Sequence, residues 1–263
     1  MKKRVFFIGF LFLLMLSFSC GAHLISKEGF TQHHKRVVGL KLFGEVDPNW
    51  SIFIESAIKS ADGGPVLLEV ESPGGYVSVS IYLNDFIEKM KEKYKSDIYV
   101  YTQYGLYSGA YFMAAACDGI YAAPSSEVGS IGVVYQIEVT PRKDKETGIE
   151  TWTFKSGDFK WIGQGDTLTK AQIDYLQGTV DKYQTLFLNT IIDGRNKQLG
   201  KVIGSLDRED QLKYLRQVCD GRVYFPEEAL NLGLIDGIGY VDDVLKCMKA
   251  VYGLDEVKVY WRN

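Results

Sequence analysis

Short apolar runs alternate with helical patterns along the first half of this chain, and this alternation constrains its fold more than any other feature. Residues 66–70 form an apolar run of strand length with turn residues on both sides. Apolar residues then recur at the spacing of one helix face from Val79 to Met90, and another apolar run follows. Strands that alternate with helices build parallel sheets, so the sequence predicts an α/β fold with a mostly parallel sheet.

The individual elements are predicted from the same patterns and from the turn residues between them. Strands are expected at residues 37–46, 66–70, 97–103 and 119–123, an edge strand at 151–154 and a last strand at 257–261. Helices are expected to begin near Pro48, Val79 and Ser108, and further helices at residues 168–199, 208–218, 226–232 and 241–252. Thr169 is suited to cap the longest of them, since its hydroxyl can accept a backbone N–H. Residues 37–263 are predicted to form a single domain with ample material for a buried core.

The N-terminal segment carries the features of an export signal. Positive charge in residues 1–4 precedes an uncharged apolar run at residues 5–18, as in a signal peptide or a marginal membrane anchor. Cys20, between Ser19 and Gly21, is a candidate for lipidation in a lipoprotein signal. A cleaved signal, a lipoprotein signal and a retained anchor all stay open for residues 1–20, with a linker at 21–36. All three place the domain on the extracytoplasmic side of the membrane.

The charge and the cysteines exclude several classes of function. A formal charge of −3 gives no electrostatic basis for binding nucleic acid, so no such partner is expected. The four cysteines are scattered and form no CxxC pair, which argues against a zinc site. We expect Cys117, Cys219 and Cys247 to be small core residues, and we expect neither a metal nor another cofactor.

Ser108 lies among small residues in a domain that contains no histidine. The three histidines, His23, His33 and His34, all precede the first predicted strand, so a Ser-His-Asp triad cannot readily activate this serine. Lysine is the usual substitute base. A serine in the first turn of a helix is most often an N-cap, and this alternative stays open. As a nucleophile, Ser108 would use the same helix start, where the amide of Gly109 could help to hold an oxyanion.

Lys160 is a candidate for the general base. A lysine base must be neutral near pH 7, and burial beside Phe159 and Trp161 would favour the neutral amine. Lys155 is the competing candidate, and a solvated surface lysine is the alternative for either. Ser130, in a glycine-rich turn, could orient the lysine amine or simply form the turn.

Gly74 and Gly75 follow the second predicted strand and precede a helix. Adjacent glycines let backbone N–H groups point into a cleft, because no Cβ is in the way. Such amides could hold an oxyanion, whereas the simpler interpretation is a strand–helix turn.

Taken together, these segments resemble the signal peptide peptidase A family, the serine-lysine peptidases with a ClpP/crotonase-like fold. The resemblance runs from about Val37 to Leu245. The segments that carry it, in chain order, are residues 71–75, 107–112, 117–124, 129–133, 155–160, 221–224 and 229–236.

The resemblance implies a membrane-associated serine endopeptidase that cleaves extended apolar peptides such as signal-peptide remnants. It implies Ser108 as nucleophile, Lys160 rather than Lys155 as general base, and Ser130 as the residue that assists the lysine. The glycines it implies around the oxyanion are Gly74, Gly75 and Gly109. Single-length chains of the family assemble into rings in which serine and lysine can come from neighbouring subunits. We therefore expect a homo-oligomer with shared active sites.

This chain departs from the family pattern at three positions. Ala110 replaces a glycine and Tyr107 replaces a small residue, which affects the shape of the pocket. Glu71 replaces an asparagine and adds a charge near the cleft. Two other functions stay open: a catalytically inactive scaffold with the same fold and ring, and a crotonase-type acyl-CoA enzyme. The export signal argues against the second, because acyl-CoA substrates are cytoplasmic.

Overall fold

The computed structural model describes residues 37–139, 142, 144–163, 167–254 and 259–262. The strands are β1 (Val37–Phe43), β2 (Val66–Glu71), β3 (Ile98–Thr102), β4 (Gly105–Tyr107), β5 (Gly119–Ala122), β6 (Glu127–Gly129), β7 (Val223–Tyr224), β8 (Gly237–Ile238) and β9 (Val259–Arg262). The helices are α1 (Trp50–Ala61), α2 (Val77–Tyr94), α3 (Gly109–Ala114), α4 (Lys170–Ile203), α5 (Arg208–Val218), α6 (Pro226–Asn231) and α7 (Val241–Tyr252). The predicted signal segment, Cys20 and the linker lie outside these residues.

Six of the strands form one sheet in the order β8-β5-β3-β2-β1-β9. Every pair of neighbours in this sheet is parallel, so the predicted α/β fold with a parallel sheet is confirmed. A second sheet has the order β4-β6-β7, in which β4 and β6 are parallel and β7 is antiparallel to β6. The chain therefore leaves the large sheet after β3 and enters the small sheet at β4. The small sheet lies at the carboxyl ends of the central strands of the large sheet.

Alternate side chains of the central strands enter two different hydrophobic clusters. Val66, Leu68 and Val70 pack on the side of α1, α2 and α3, while Leu67 packs with residues of α7 such as Val244 on the other side. Because the sheet is covered on both faces, its strands read as continuous apolar runs. The three cysteines of the described domain are buried, as predicted.

The C-terminal elements are tied to the sheet by a buried ion pair. Arg195 of α4 is fully buried, and its Nη1 lies 2.5 Å from Oδ2 of Asp236. The Asp236 carboxylate also accepts the Ile120 N–H at 2.8 Å and a hydrogen bond from Gln198 at 2.9 Å. Buried charges are stable only when they are paired and hydrogen-bonded in this way. Among the described helices, none is both long and apolar enough to cross a bilayer.

The predicted edge strand at residues 151–154 is wrong. These residues are exposed and form no strand, and Phe154 is 93% exposed. The Thr151 N–H donates to the Arg142 carbonyl at 2.9 Å, and the Arg142 guanidinium stacks on the Trp152 ring at 3.1 Å. The β-branched and aromatic composition suited a strand, but a strand also needs a ladder of backbone partners.

Candidate active site

Ser108 joins β4 to α3 in a backbone conformation that a serine rarely adopts. Its φ is +50° and its ψ is −121°, a region that costs a non-glycine residue on the order of 1–3 kcal/mol. The backbone is held there by two hydrogen bonds: the Ser108 N–H donates to the Gly129 carbonyl at 2.8 Å, and its carbonyl accepts from Phe112 at 3.0 Å. Such strained positions cluster at active sites.

The Ser108 side chain does not cap the helix that it precedes. It makes no capping hydrogen bond to α3, and the residue is only half-buried. The helix-cap alternative for this serine is therefore wrong. A hydroxyl that is not used by the helix is available for chemistry.

Gly74 brings the turn after β2 directly against Ser108 and Gly109. Its φ is +101°, and a Cβ at this position would lie 2.7 Å from the Ser108 Cβ and 2.9 Å from the Gly109 nitrogen. Only glycine permits this approach. The Gly74 N–H is already used, since it donates to the Ser72 hydroxyl at 3.1 Å. Gly74 therefore shapes the turn.

Two amides beside Ser108 are available to a ligand. A Cβ built on Gly109 would lie 3.2 Å from the Gly75 nitrogen, so the two residues are in close contact. Within the part of the chain that the structure describes, neither the Gly75 N–H nor the Gly109 N–H has a hydrogen-bond partner. Paired backbone donors of this kind stabilise the oxyanion of an acyl-transfer intermediate.

Gly109 has no room for a side chain, which gives a testable consequence. A Cβ there would lie 2.2 Å from the Ser80 Oγ but 3.4 Å from the Ser80 Cβ, and Ser80 is buried. We expect Gly109→Ala to lower the free energy of unfolding by about 1–3 kcal/mol through overpacking. Adding Ser80→Ala removes the clashing hydroxyl and should recover most of that loss. A double-mutant cycle by urea denaturation measures the coupling, and strictly additive losses would contradict this account.

Ser130 lies next to the hydrogen bond that holds Ser108. It follows Gly129, whose carbonyl accepts from Ser108, and its own N–H donates to the Arg222 carbonyl at 2.9 Å. Its φ is +51°, so this residue is strained as well. The structure thus brings Ser108, Ser130 and the three predicted glycines to the same edge of the two sheets.

Lys160 is not joined to this group within a single chain. It is exposed, its N–H donates to the Gly157 carbonyl at 3.1 Å, and no hydrogen bond links it to Ser108 in the described ranges. Phe159 and Trp161 are 48% and 60% exposed, so they do not desolvate the amine by themselves. The Lys155 amine lies 3.4 Å from the carbonyl oxygens of Asp158 and Trp161, so it contacts backbone groups of its own loop.

The three departures from the family pattern have different surroundings. Ala110 is fully buried in the core. The Tyr107 hydroxyl donates to Glu127 at 2.9 Å, and burial raises the pKa of this tyrosine to about 12. The Glu71 carboxylate accepts hydrogen bonds from the connection between β3 and β4. The sequence predicts the Glu71 charge near the cleft but not these partners, because the local pattern does not pair residues more than thirty positions apart.

The sequence model of Peptidase family S49 matches residues 90–255. This chain belongs to that family. The matched range contains Ser108, Ser130 and Lys160, while Gly74 and Gly75 precede it. The resemblance to signal peptide peptidase A is thereby confirmed at the level of the family.

Two similar proteins show how much of the chain is shared. The chain is 31% identical over 204 residues to "Putative protease MJ0651" of Methanocaldococcus jannaschii, covering 73% of this chain and 61% of that protein. It is 30% identical over 197 residues to "Putative signal peptide peptidase SppA" of Enterococcus faecium, covering 74% and 53%. The chain thus spans a little over half the length of these two relatives.

A solved structure supports the fold independently. A mutant of the 1510-N membrane-bound stomatin-specific protease superposes with a TM-score of 0.50 and covers 87% of this chain and 98% of its own. The sequences are only 13% identical, so this similarity shows the fold alone.

Proposed function

We propose that this S49 family member is a serine endopeptidase whose nucleophile is Ser108. The observation that carries the proposal is an uncapped serine hydroxyl beside two unpartnered amides, those of Gly75 and Gly109. A substrate carbonyl whose oxygen lies between the two amides presents its carbon to the serine oxygen. This arrangement favours a tetrahedral intermediate over the bound peptide, which is the requirement for acyl transfer.

Lys160 is the general base in this proposal. Its neutral amine accepts the Ser108 proton during attack and then donates it to the leaving amine. Water then hydrolyses the acyl-enzyme, which releases the carboxylic acid product and regenerates the serine. Ser130 orients the amine. The resemblance to serine-lysine peptidases supports these roles, and Lys155 is the weaker candidate because its amine lies against carbonyl oxygens of its own loop.

The exposure of Lys160 supports an active site that is shared between subunits. A lysine base has to be desolvated, and the loop of residues 149–161 leaves it in solvent. Trp152, Phe154 and Trp161 of the same loop are 64%, 93% and 60% exposed, an apolar surface that a partner would cover. We propose that this loop docks on the cleft of a neighbouring subunit in a homo-oligomeric ring and delivers Lys160 to that subunit's Ser108.

Extended apolar peptides such as signal-peptide remnants are the proposed substrates. Residues 131–139 follow Ser130 without regular structure, and Val134 and Tyr135 are 87% and 58% exposed. A segment outside regular secondary structure can pair with a substrate strand through its backbone. The N-terminal segment supports attachment to the membrane, with the catalytic domain on the extracytoplasmic side.

Covalent labelling tests the proposal. The full-length protein, purified in mild detergent, is treated with a fluorophosphonate probe, and the adduct is located by mass spectrometry. We expect a single adduct on Ser108, because an activated serine reacts and ordinary hydroxyls do not. A folded protein without an adduct at Ser108 would instead favour the catalytically inactive scaffold.

A further inference from the structure

The connection between β3 and β4 is held by one side chain from another strand. At this point the chain leaves the large sheet for the small one, and its backbone amides need partners outside both ladders. Glu71, the last residue of β2, supplies them: its Oε1 accepts the Gln103 N–H at 2.6 Å. Its Oε2 accepts the N–H groups of Tyr104 and Gly105 at 2.9 and 3.0 Å, and the Thr102 hydroxyl at 3.1 Å.

This set of donors requires a carboxylate. Both oxygens of Glu71 accept backbone N–H groups, and an ionised carboxylate is the only side chain that accepts with both terminal atoms. A glutamine of the same shape would turn its NH₂ group towards one of these amides. Charge-assisted hydrogen bonds of this type are roughly twice as strong as neutral ones.

The residue after Glu71 extends this support to β4 itself. The Ser72 N–H donates to the Gly105 carbonyl at 3.1 Å, and the Ser72 carbonyl accepts from Tyr107 at 3.1 Å. β4 is only three residues long, and Ser108 follows it directly. Ser72, directly after β2, therefore contacts both ends of β4, the strand that precedes Ser108.

The turn that contains Gly74 and Gly75 begins at the same end of β2. Ser72 leads through Gly74 into Gly75, whose nitrogen lies close to Gly109. The distance between the serine oxygen and this amide therefore depends on how firmly β4 is held against β2. A displacement of 1 Å between reacting groups can cost about a hundredfold in rate.

We propose that Glu71 is a positioning residue for the nucleophile, and this rests on the proposed function. Its carboxylate fixes β4 against β2 so that Ser108 stays aligned with the amides of Gly75 and Gly109. Glu71 acts through the backbone and touches no reacting atom. Its loss slows acylation and lowers kcat, while substrate binding along residues 131–139 and therefore KM change little.

The test compares Glu71→Gln with Glu69→Gln. Glu69 lies two positions earlier on the same face of β2 and pairs with Lys41 at 3.1 Å, so the control removes a carboxylate from the same strand. For each protein we measure the rate of Ser108 labelling by the fluorophosphonate probe, kcat and KM on a peptide, and unfolding in urea. We expect Glu71→Gln to label and turn over at least about tenfold more slowly with KM within about twofold, and Glu69→Gln to stay within about twofold throughout.

Each outcome decides between the two proposals. Labelling and kcat at wild-type values in folded Glu71→Gln, with or without a loss of stability, would overturn the positioning role alone. A wild-type protein that is folded but never labelled overturns the proposed function, and the positioning role falls with it. If Glu71→Gln does not fold, Glu71→Asp decides: it keeps the charge but shortens the reach, and an unchanged labelling rate would overturn the proposal.

Discussion

Replacing Ser108 by alanine is expected to reduce peptide cleavage by roughly 10³-fold or more and to leave the stability of the protein almost unchanged. The reduction follows because the nucleophile is lost, while the amides of Gly75 and Gly109 still support a small residual rate. Removing a capping serine costs about 1 kcal/mol of stability. The Ser108 side chain makes no capping hydrogen bond, so its removal should leave the free energy of unfolding almost unchanged.

A second serine provides the matched control. Ser126 is fully buried, and its hydroxyl donates to the Ala123 carbonyl at 2.8 Å. Ser126→Ala should therefore lose stability and keep its cleavage rate per folded molecule, the reverse of Ser108→Ala. Hydrolysis of a fluorogenic apolar peptide and unfolding in urea measure both properties. Wild-type cleavage by Ser108→Ala would exclude this residue as the nucleophile.

Most of the regular structure could be predicted from the sequence because it depends on local patterns. The Thr169 hydroxyl caps α4 by accepting the Gln172 N–H at 3.2 Å, as its position before a helical pattern predicted. The parallel sheet followed from the alternation of strands and helices. Periodicity and capping involve residues within a few positions of one another, so a single sequence contains them.

The structural features that distinguish Ser108 could not be predicted in this way. Its positive φ arises because the Gly129 carbonyl holds its N–H from a neighbouring strand, and the cap is absent because of that conformation. The Glu71 hydrogen bonds span more than thirty positions and depend on where the chain changes sheets. The strand prediction for residues 151–154 failed for a related reason. A strand is defined by its backbone partners, and composition does not specify them.

Lys160→Ala is expected to reduce cleavage to a similar extent as Ser108→Ala, because a serine without a base is a weak nucleophile. Lys155→Ala is the matched control from the same loop, and it should keep most of the activity, since its amine lies against carbonyl oxygens of that loop. The same peptide assay measures both variants. Normal turnover by Lys160→Ala would exclude Lys160 as the base, and a comparable loss in Lys155→Ala would contradict the choice of Lys160 over Lys155.

Mixing the two inactive variants separates a shared site from a site within one chain. In a ring assembled from equal amounts of Ser108→Ala and Lys160→Ala subunits, a site is active where an intact serine meets an intact lysine from the neighbour. Random assembly produces this combination at about a quarter of the sites, so about a quarter of the wild-type activity should return. A dyad formed within one chain gives no recovery, because every subunit lacks one of the two residues. The exposed position of Lys160 leads us to expect recovery, and its absence after co-refolding or subunit exchange would place the base in the same chain as its serine.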